Sequence, residues 1–302
     1  MAPITRSLTA LGPDTLVKAL RTDRTHHGVV YALGRNECPQ PFNDKECADG
    51  GLYACRLKDL LRWISLYPDI DTVAVVEVPE DAQRCEFATK TKASALVLTR
   101  FLPLLEAMEL AVQHGADIHA DNDYALRVAS ENGHVSVVQF LVEVGHADVH
   151  ADDDGALNVA SLYGHLAIVQ FLVEHGANVH ACDDAALHVA SQNGHLAVVQ
   201  FLVTQGANVH ALDENALSVA SRNGHLPVVQ FLVEVGHADV HAYDDEALHV
   251  ASQNGHLAVV QFLVAHGADV HASNDYALRW ASEYGHLTVV EFLRTLRRSR
   301  RR

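Results

Sequence analysis

From about residue 103 onward the chain repeats one pattern of apolar and polar positions. A clear copy is residues 183–211, DDAALHVASQNGHLAVVQFLVTQGANVHA. Within it Leu187 and Ala190 stand three apart, the spacing of one face of a short helix. The small Ala190 and Ser191 let a neighbouring backbone come close. Asn193-Gly194 stops this helix, because glycine accepts the left-handed conformation that a helix end needs. Leu196, Val198, Val199, Phe201, Leu202 and Val203 then form a second helix that is apolar on most sides and must be covered on several faces. Gln205-Gly206 ends it, and residues 207–211 lead into an extended turn rich in Asp.

The pattern is punctuated by Gly-His pairs at Gly133-His134, Gly164-His165, Gly194-His195, Gly224-His225, Gly255-His256 and Gly285-His286, 30 or 31 residues apart. A period of this length marks a solenoid of stacked helix–turn–helix units, none able to bury its apolar faces alone. Residues 186–203 and 247–264 are identical, as are 137–151 and 228–242, which points to recent duplication of units.

Written as GH-L-x-VV-x-FLV-x-x-GA-(D/N)-V-H-A, the unit resembles the ankyrin repeat over about residues 103–296. The Thr-Pro of that family is absent, and its following Leu-His survives only at Leu187-His188 and Leu248-His249. The period is about three residues short of the usual 33, which implies trimmed β-hairpin fingers. The stretches NDYALRVASENGH at 122–134 and NDYALRWASEYGH at 274–286 are similar to ankyrin arrays encoded by giant viruses of amoebae. The resemblance implies a mainly α fold. Six shortened units would be opened by a degenerate half unit at 104–120 and closed by a polar outer face at 294–302.

Residues 26–102 do not repeat. Residues 28–33, 72–78 and 95–98 read as strands, the second with alternating Val73, Val75/Val76 and Val78, and residues 58–66 as a helix around Leu60, Leu61 and Ile64. The expected organisation is a leader at 1–25, a small α+β domain at 26–102, the ankyrin array at 103–293 and an Arg-rich tail at 294–302. Cys47–Cys55 with the following LKDLLRW, and VEVPEDA at 76–82, resemble the module that precedes the giant-virus arrays. No activity comes with that likeness.

Charge narrows the function. The net charge is -16, yet Arg294, Arg297, Arg298, Arg300, Arg301 and Arg302 carry no acid among them, leaving about -22 on everything else. Such a body repels phosphate, so the array is not expected to bind nucleic acid. The tail reads as a plain helix cap, a nuclear-localisation patch, or an arm for RNA or anionic lipid. No apolar run nears the ~20 residues that cross a bilayer, and no basic-then-apolar secretion signal opens the chain. Five cysteines, four of them within the first 85 residues, suit a reduced compartment. All five lysines lie within the first 92 residues.

Binding is expected where the units differ. Two variable positions four apart share a face of each first helix: Arg127/Glu131, Asn158/Leu162, His188/Gln192, Ser218/Arg222, His249/Gln253 and Arg279/Glu283. The opening residue varies too, as in Tyr124 and Tyr276, and Tyr163 and Tyr284 replace the Asn before Gly-His. The ankyrin resemblance puts finger tips and first helices on a concave face, and Tyr and Arg dominate interface energies.

Other residues are given structural roles. Nineteen of the 21 histidines lie in the array, where they are expected to hydrogen-bond turn backbone. Pairs such as His114/His119 and His175/His180 show no carboxylate or cysteine partner at ligand spacing, so no metal is expected. The acidic connections read as turns and caps, or as a stripe steering a basic partner. Cys38, Cys47, Cys55 and Cys85 match no compact zinc pattern. The reading is a non-catalytic intracellular scaffold without cofactor, of viral type, binding a host protein as a monomer in the host cytoplasm. Nuclear residence through the tail, a self-assembling virion component, and an enzyme site on His26, His27, Tyr53, Cys55 and Glu77 with the array used for targeting are its alternatives.

Overall fold

The computed structural model describes residues 11–21, 24–26, 29–40, 42–43, 52–61, 70–211 and 215–299. They form two compact units, residues 1–148 and 149–302. The first contains strands β1 (Leu16–Arg21), β2 (Thr25–His26), β3 (Val29–Val30), β4 (Gly34–Glu37), β5 (Leu52–Arg56), β6 (Ile70–Glu77), β7 (Arg84–Glu86), β8 (Lys90–Ala93) and β9 (Ala95–Pro103). Seven of these make an antiparallel sheet in the order β4-β9-β6-β1-β5-β8-β7, while β2 and β3 form a separate hairpin. Val73, Ala74, Val75 and Val76 of β6 are all buried, so this strand is covered on both faces. Leu20, Tyr31, Leu52, Ala74, Leu96 and Leu98 share one core cluster.

The sheet is larger than the strand signals suggested. Residues 16–21, assigned above to a leader, form β1 and pair with both β5 and β6. The strand expected at 28–33 is only Val29–Val30, with Gly28 outside the described residues. The last strand runs on to Pro103. Of the helix expected at 58–66, a 3-10 turn at Leu57–Asp59 is seen, and residues 62–69 lie outside the described residues. The half unit is a helix, α1 (Leu104–Gln113), which packs on β6, β9 and the 3-10 turn. It is followed by α2 (Ala120–Glu131) and α3 (Val135–Gln139), the latter widening into a π turn at Phe140–Val144.

The second unit is built of helix pairs: α4 (Ala151–Leu162) with α5 (Leu166–Glu174), α6 (Ala181–Gln192) with α7 (Leu196–Thr204), α8 (Asn215–Arg222) with α9 (Leu226–Glu234), α10 (Ala242–Gln253) with α11 (Leu257–Ala265), and α12 (Ala272–Glu283) with α13 (Leu287–Ser299). First helices pack on first helices and second on second. Leu157, Leu187, Leu217 and Leu248 are fully covered, as are Ser161, Ser191, Ser221 and Ser252, which explains the small residue in that slot. Arg294 on α13 replaces the half-buried valine of the other second helices and is exposed, while the other five arginines expected to form the polar outer face lie outside the residues whose side chains are described.

Two polar contacts tie successive pairs together. The first explains the Gly-His period. His195 donates from Nε2 to the Leu162 carbonyl at 2.9 Å, His225 to Gln192 at 3.0 Å and His256 to Arg222 at 2.9 Å. Each ring thus binds the carboxyl end of the preceding first helix, as expected for turn histidines. The ring also lies against the preceding Gly, so that a Cβ on Gly164, Gly194 or Gly224 would come within 2.5 Å of its Nδ1. These glycines have φ near +76°, so glycine is required twice over.

The second contact was missed. The expected extended connection is instead a short left-handed run: Asp152-Asp153-Asp154, Cys182-Asp183-Asp184, Tyr243-Asp244-Asp245 and Ser273-Asn274-Asp275 all have φ between 50° and 63°. No strand lies in these connections among the described residues, so the fingers are not hairpins. Left-handed backbone costs an L-residue about 1–2 kcal/mol, least for Asp and Asn, and hence the acidic row. The last Asp of the run repays that cost. Asp184, buried, accepts from His180 Nδ1 at 3.1 Å and from the Asn208 backbone N–H of the next unit at 2.8 Å. Asp154 and Asp245 do the same with His150 and Asn178, and with His241 and Asp269. His119, His150, His180, His241 and His271 therefore do have carboxylate partners, four residues on, contrary to the spacing argument.

Two comparisons test these contacts by urea denaturation. Gly285 has the same left-handed φ as Gly194 but no atom near its absent Cβ. Gly285→Ala should cost about 1–2 kcal/mol for backbone alone, and Gly194→Ala at least about 2 kcal/mol more through overlap with His225. Equal costs would remove the imidazole contact from the account. Asp184→Ala should cost about 2–4 kcal/mol, since it strands two donors, and a loss below about 0.5 kcal/mol would contradict the role given to Asp184.

Candidate protein-binding surface

With framework contacts assigned, the remaining first-helix side chains form the candidate surface. In the first compact unit Tyr124, Arg127 and Glu131 on α2 are half-buried, and the Arg127 guanidinium lies 4.8 Å from the Tyr124 ring centre. In the second, Tyr163, Gln192, Arg222, Arg279, Glu283 and Tyr284 are exposed, while Asn158, Leu162, His188, Ser218, Gln253 and Tyr276 are half-buried. Tyr163 stacks near His165 with ring centres 6.3 Å apart. Arg222 reaches within 3.8 Å of Glu246 in the next unit. Burial raises the Glu246 pKa above the usual carboxylate value, and Arg222 opposes the shift.

One nominated row lies deeper than expected. Asn158, His188, Ser218, His249 and Arg279 occupy the same slot of successive units, and His249 is only 4% exposed. It sits between first helices with its ring 4.9 Å from that of Tyr276. His249 is therefore an inter-helix residue and not an open contact. Asn158 Oδ1 and His188 Nδ1 are buried without a hydrogen bond among the described residues.

Two positions escaped the sequence reading. Trp280 lies between Tyr276 and Tyr284 on α12, in a slot that is Val in the other five units. Tyr243, 64% exposed, opens a left-handed run at a position that varies from unit to unit. Both signals were present in the unit alignment, Trp280 as a break in a constant position and Tyr243 as an unused variable one.

The sheet holds the other candidate cluster. Lys18 Nζ donates to the Tyr53 carbonyl at 2.8 Å and lies 4.7 Å from the Tyr31 ring centre. Lys90 and Lys92 approach the Tyr53 ring at 4.9 and 5.3 Å. Burial lowers the Lys18 amine to about 7 and pushes the Cys55 thiol up to about 12, with Asp59 adding to the latter. Tyr53 and Cys55 lie on β5, paired with Lys92 and Lys90 of β8, whereas Glu77 ends β6 and is exposed. The side chain of His26, and His27 as a whole, lie outside the described residues. All three lysines are under 8% exposed, and a thiol raised to about 12 stays protonated near neutrality.

Burial lowers the pKa of His249 below its ordinary 6.5, against the opposing pull of Asp245 and Asp244. Between the lowered folded value and 6.5 the unfolded chain binds the extra proton, so stability falls as pH falls through that window. His249→Phe, which keeps a ring beside Tyr276, should lose less stability than the wild type between pH 7 and 5 in denaturation curves. Equal losses would mean that His249 is not the titrating group.

The ankyrin-repeat family pattern matches three times, at residues 100–183, 177–244 and 217–297. An ankyrin repeat protein of Acanthamoeba polyphaga mimivirus is 31% identical over 141 residues, covering 45% of this chain and 42% of that protein. The chain thus spans less than half the length of that relative. Helix pairs of this period, their Gly-His junctions and the family matches over most of the chain agree: this protein belongs to the ankyrin-repeat family, whose repeats are protein–protein interaction modules.

Proposed function

We propose that the protein is a non-catalytic scaffold that binds a host protein through the concave face formed by its first helices and finger tips. The observation that carries this reading is the division of labour within each unit. Histidine, glycine and buried Asp join the units, while exposed Tyr163, Arg222, Arg279 and Tyr284 vary freely. A framework that is already ordered presents such side chains with little entropic cost on binding. The likeness to a mimivirus protein supports a viral origin and a target inside the host cell, the cytoplasm first and the nucleus if the Arg-rich tail directs entry.

Chemistry at the sheet is the second reading, and the low Lys18 pKa is what favours it. Against it stands the cover over the three amines, which fits lysines packed on Tyr31 and Tyr53 as part of the core.

Affinity capture from an amoebal host lysate separates these readings. A wild-type bait should retain a host protein that an Arg127/Tyr163/Arg222/Arg279→Ala variant of equal thermal stability loses. Lys18→Met, which keeps the stem in the core, should retain it. Equal capture by wild type and the four-residue variant would contradict the first-helix surface.

A further inference from the structure

The last unit gathers its aromatic residues on one helix face. Tyr276, Trp280 and Tyr284 follow one another at four-residue spacing on α12, with ring centres 5.3 Å and then 5.4 Å apart. None of the three is buried, and Tyr284 is 54% exposed. Trp280 stands where the other units have Val128, Val159, Val189, Val219 and Val250. Tyr284 stands where four of them have Asn132, Asn193, Asn223 and Asn254. Two framework residues have thus been exchanged for large aromatics, neither of them fully buried. Trp280 is not fully buried, and Trp is the residue type that anchors interfaces.

Charge identifies the occupant. Residues 149–293 carry 17 Asp and Glu against two Arg, Arg222 and Arg279. Arg222 lies beside Glu246, and the Arg279 guanidinium is 6.0 Å from the Tyr276 ring centre. Asp275 and Glu283 flank the aromatic row in sequence, and Asp244 and Glu246 belong to the unit before it. Aromatic faces are negative and attract cations, as Arg127 on Tyr124 and Arg279 on Tyr276 illustrate within the chain itself. A nucleic acid strand could also stack on such rings, but its phosphates would meet this acidic surround.

We propose that the Tyr276–Trp280–Tyr284 face is the docking site for an extended, arginine- or lysine-bearing segment of a protein partner. The inference rests on the scaffold reading and adds the chemistry of the bound segment. Alternate side chains of an extended chain lie about 6.6 Å apart, comparable to the 5.3 and 5.4 Å steps of the row, so successive cations can lie along it.

The test titrates full-length protein with fluorescein-labelled nona-arginine, following anisotropy at fixed ionic strength. Trp280→Val and Tyr284→Asn install the residues of other units and change no charge, which guards against misfolding and against altered long-range attraction. Each should weaken binding at least about tenfold, the magnitude of one cation–π contact of about 1.4 kcal/mol. Unchanged affinity in both variants would show attraction by net charge alone and overturn the site. Equal binding of a single-stranded oligonucleotide at the same face would overturn the choice of occupant. If these fail while first-helix-dependent capture from lysate persists, only this inference falls. If that capture fails as well, the scaffold reading falls with it.

Discussion

Every other feature of the array depends on how one unit is joined to the next, and that junction is polar. A pair of helices of this size cannot cover its own apolar surface, so stacking must be enforced with register. The imidazole of each Gly-His pair supplies it by crossing to the carboxyl end of the preceding first helix, where glycine leaves room for the ring. The buried Asp at the end of each left-handed run supplies it a second time, by accepting from its own histidine and from the next unit's backbone. Apolar packing is tolerant of small shifts, whereas these hydrogen bonds are met in one register only.

That arrangement frees the rest of the first helix. Once Leu187, Ala190, Ser191, His195 and Asp184 are fixed by stacking, His188, Gln192 and Ala185 are constrained only by local space. The substitutions at equivalent positions follow this rule up to His249, where a variable slot has been drawn into the gap between helices. Binding capacity therefore follows from the framework's economy of positions. The aromatic row of the last unit extends the same logic, because Trp280 and Tyr284 depart from residues kept in most other units.

Much of this was legible in the sequence. The period, both helices and the structural role of the Gly-His histidines could be read from apolar spacing and from glycine's conformational freedom. The left-handed runs could not, since three successive non-glycine residues in that region are disfavoured, and the buried carboxylates that hold three of them, Asp154, Asp184 and Asp245, find their partners in two units. The sheet was half legible. β6 announces itself through Val73, Val75 and Val76, but β1, LVKALR, carries two cations and no clean alternation. Its Lys18 is buried by packing on Tyr31, which no local pattern foretells. Depth at the candidate surface was equally hidden, because one slot is exposed at Arg279 and covered at His249 according to its neighbours.

The junction can be observed directly through the protonation of its imidazoles. A backbone carbonyl only accepts, so the rings of His195, His225 and His256 must carry their proton on Nε2. An ionised carboxylate likewise only accepts, so His150, His180 and His241 must carry theirs on Nδ1. Long-range proton–nitrogen correlation spectra of the neutral rings should divide these six histidines into two opposite tautomers. A single tautomer across both sets, or averaging at the Gly-His rings, would contradict the claim that these contacts join the units.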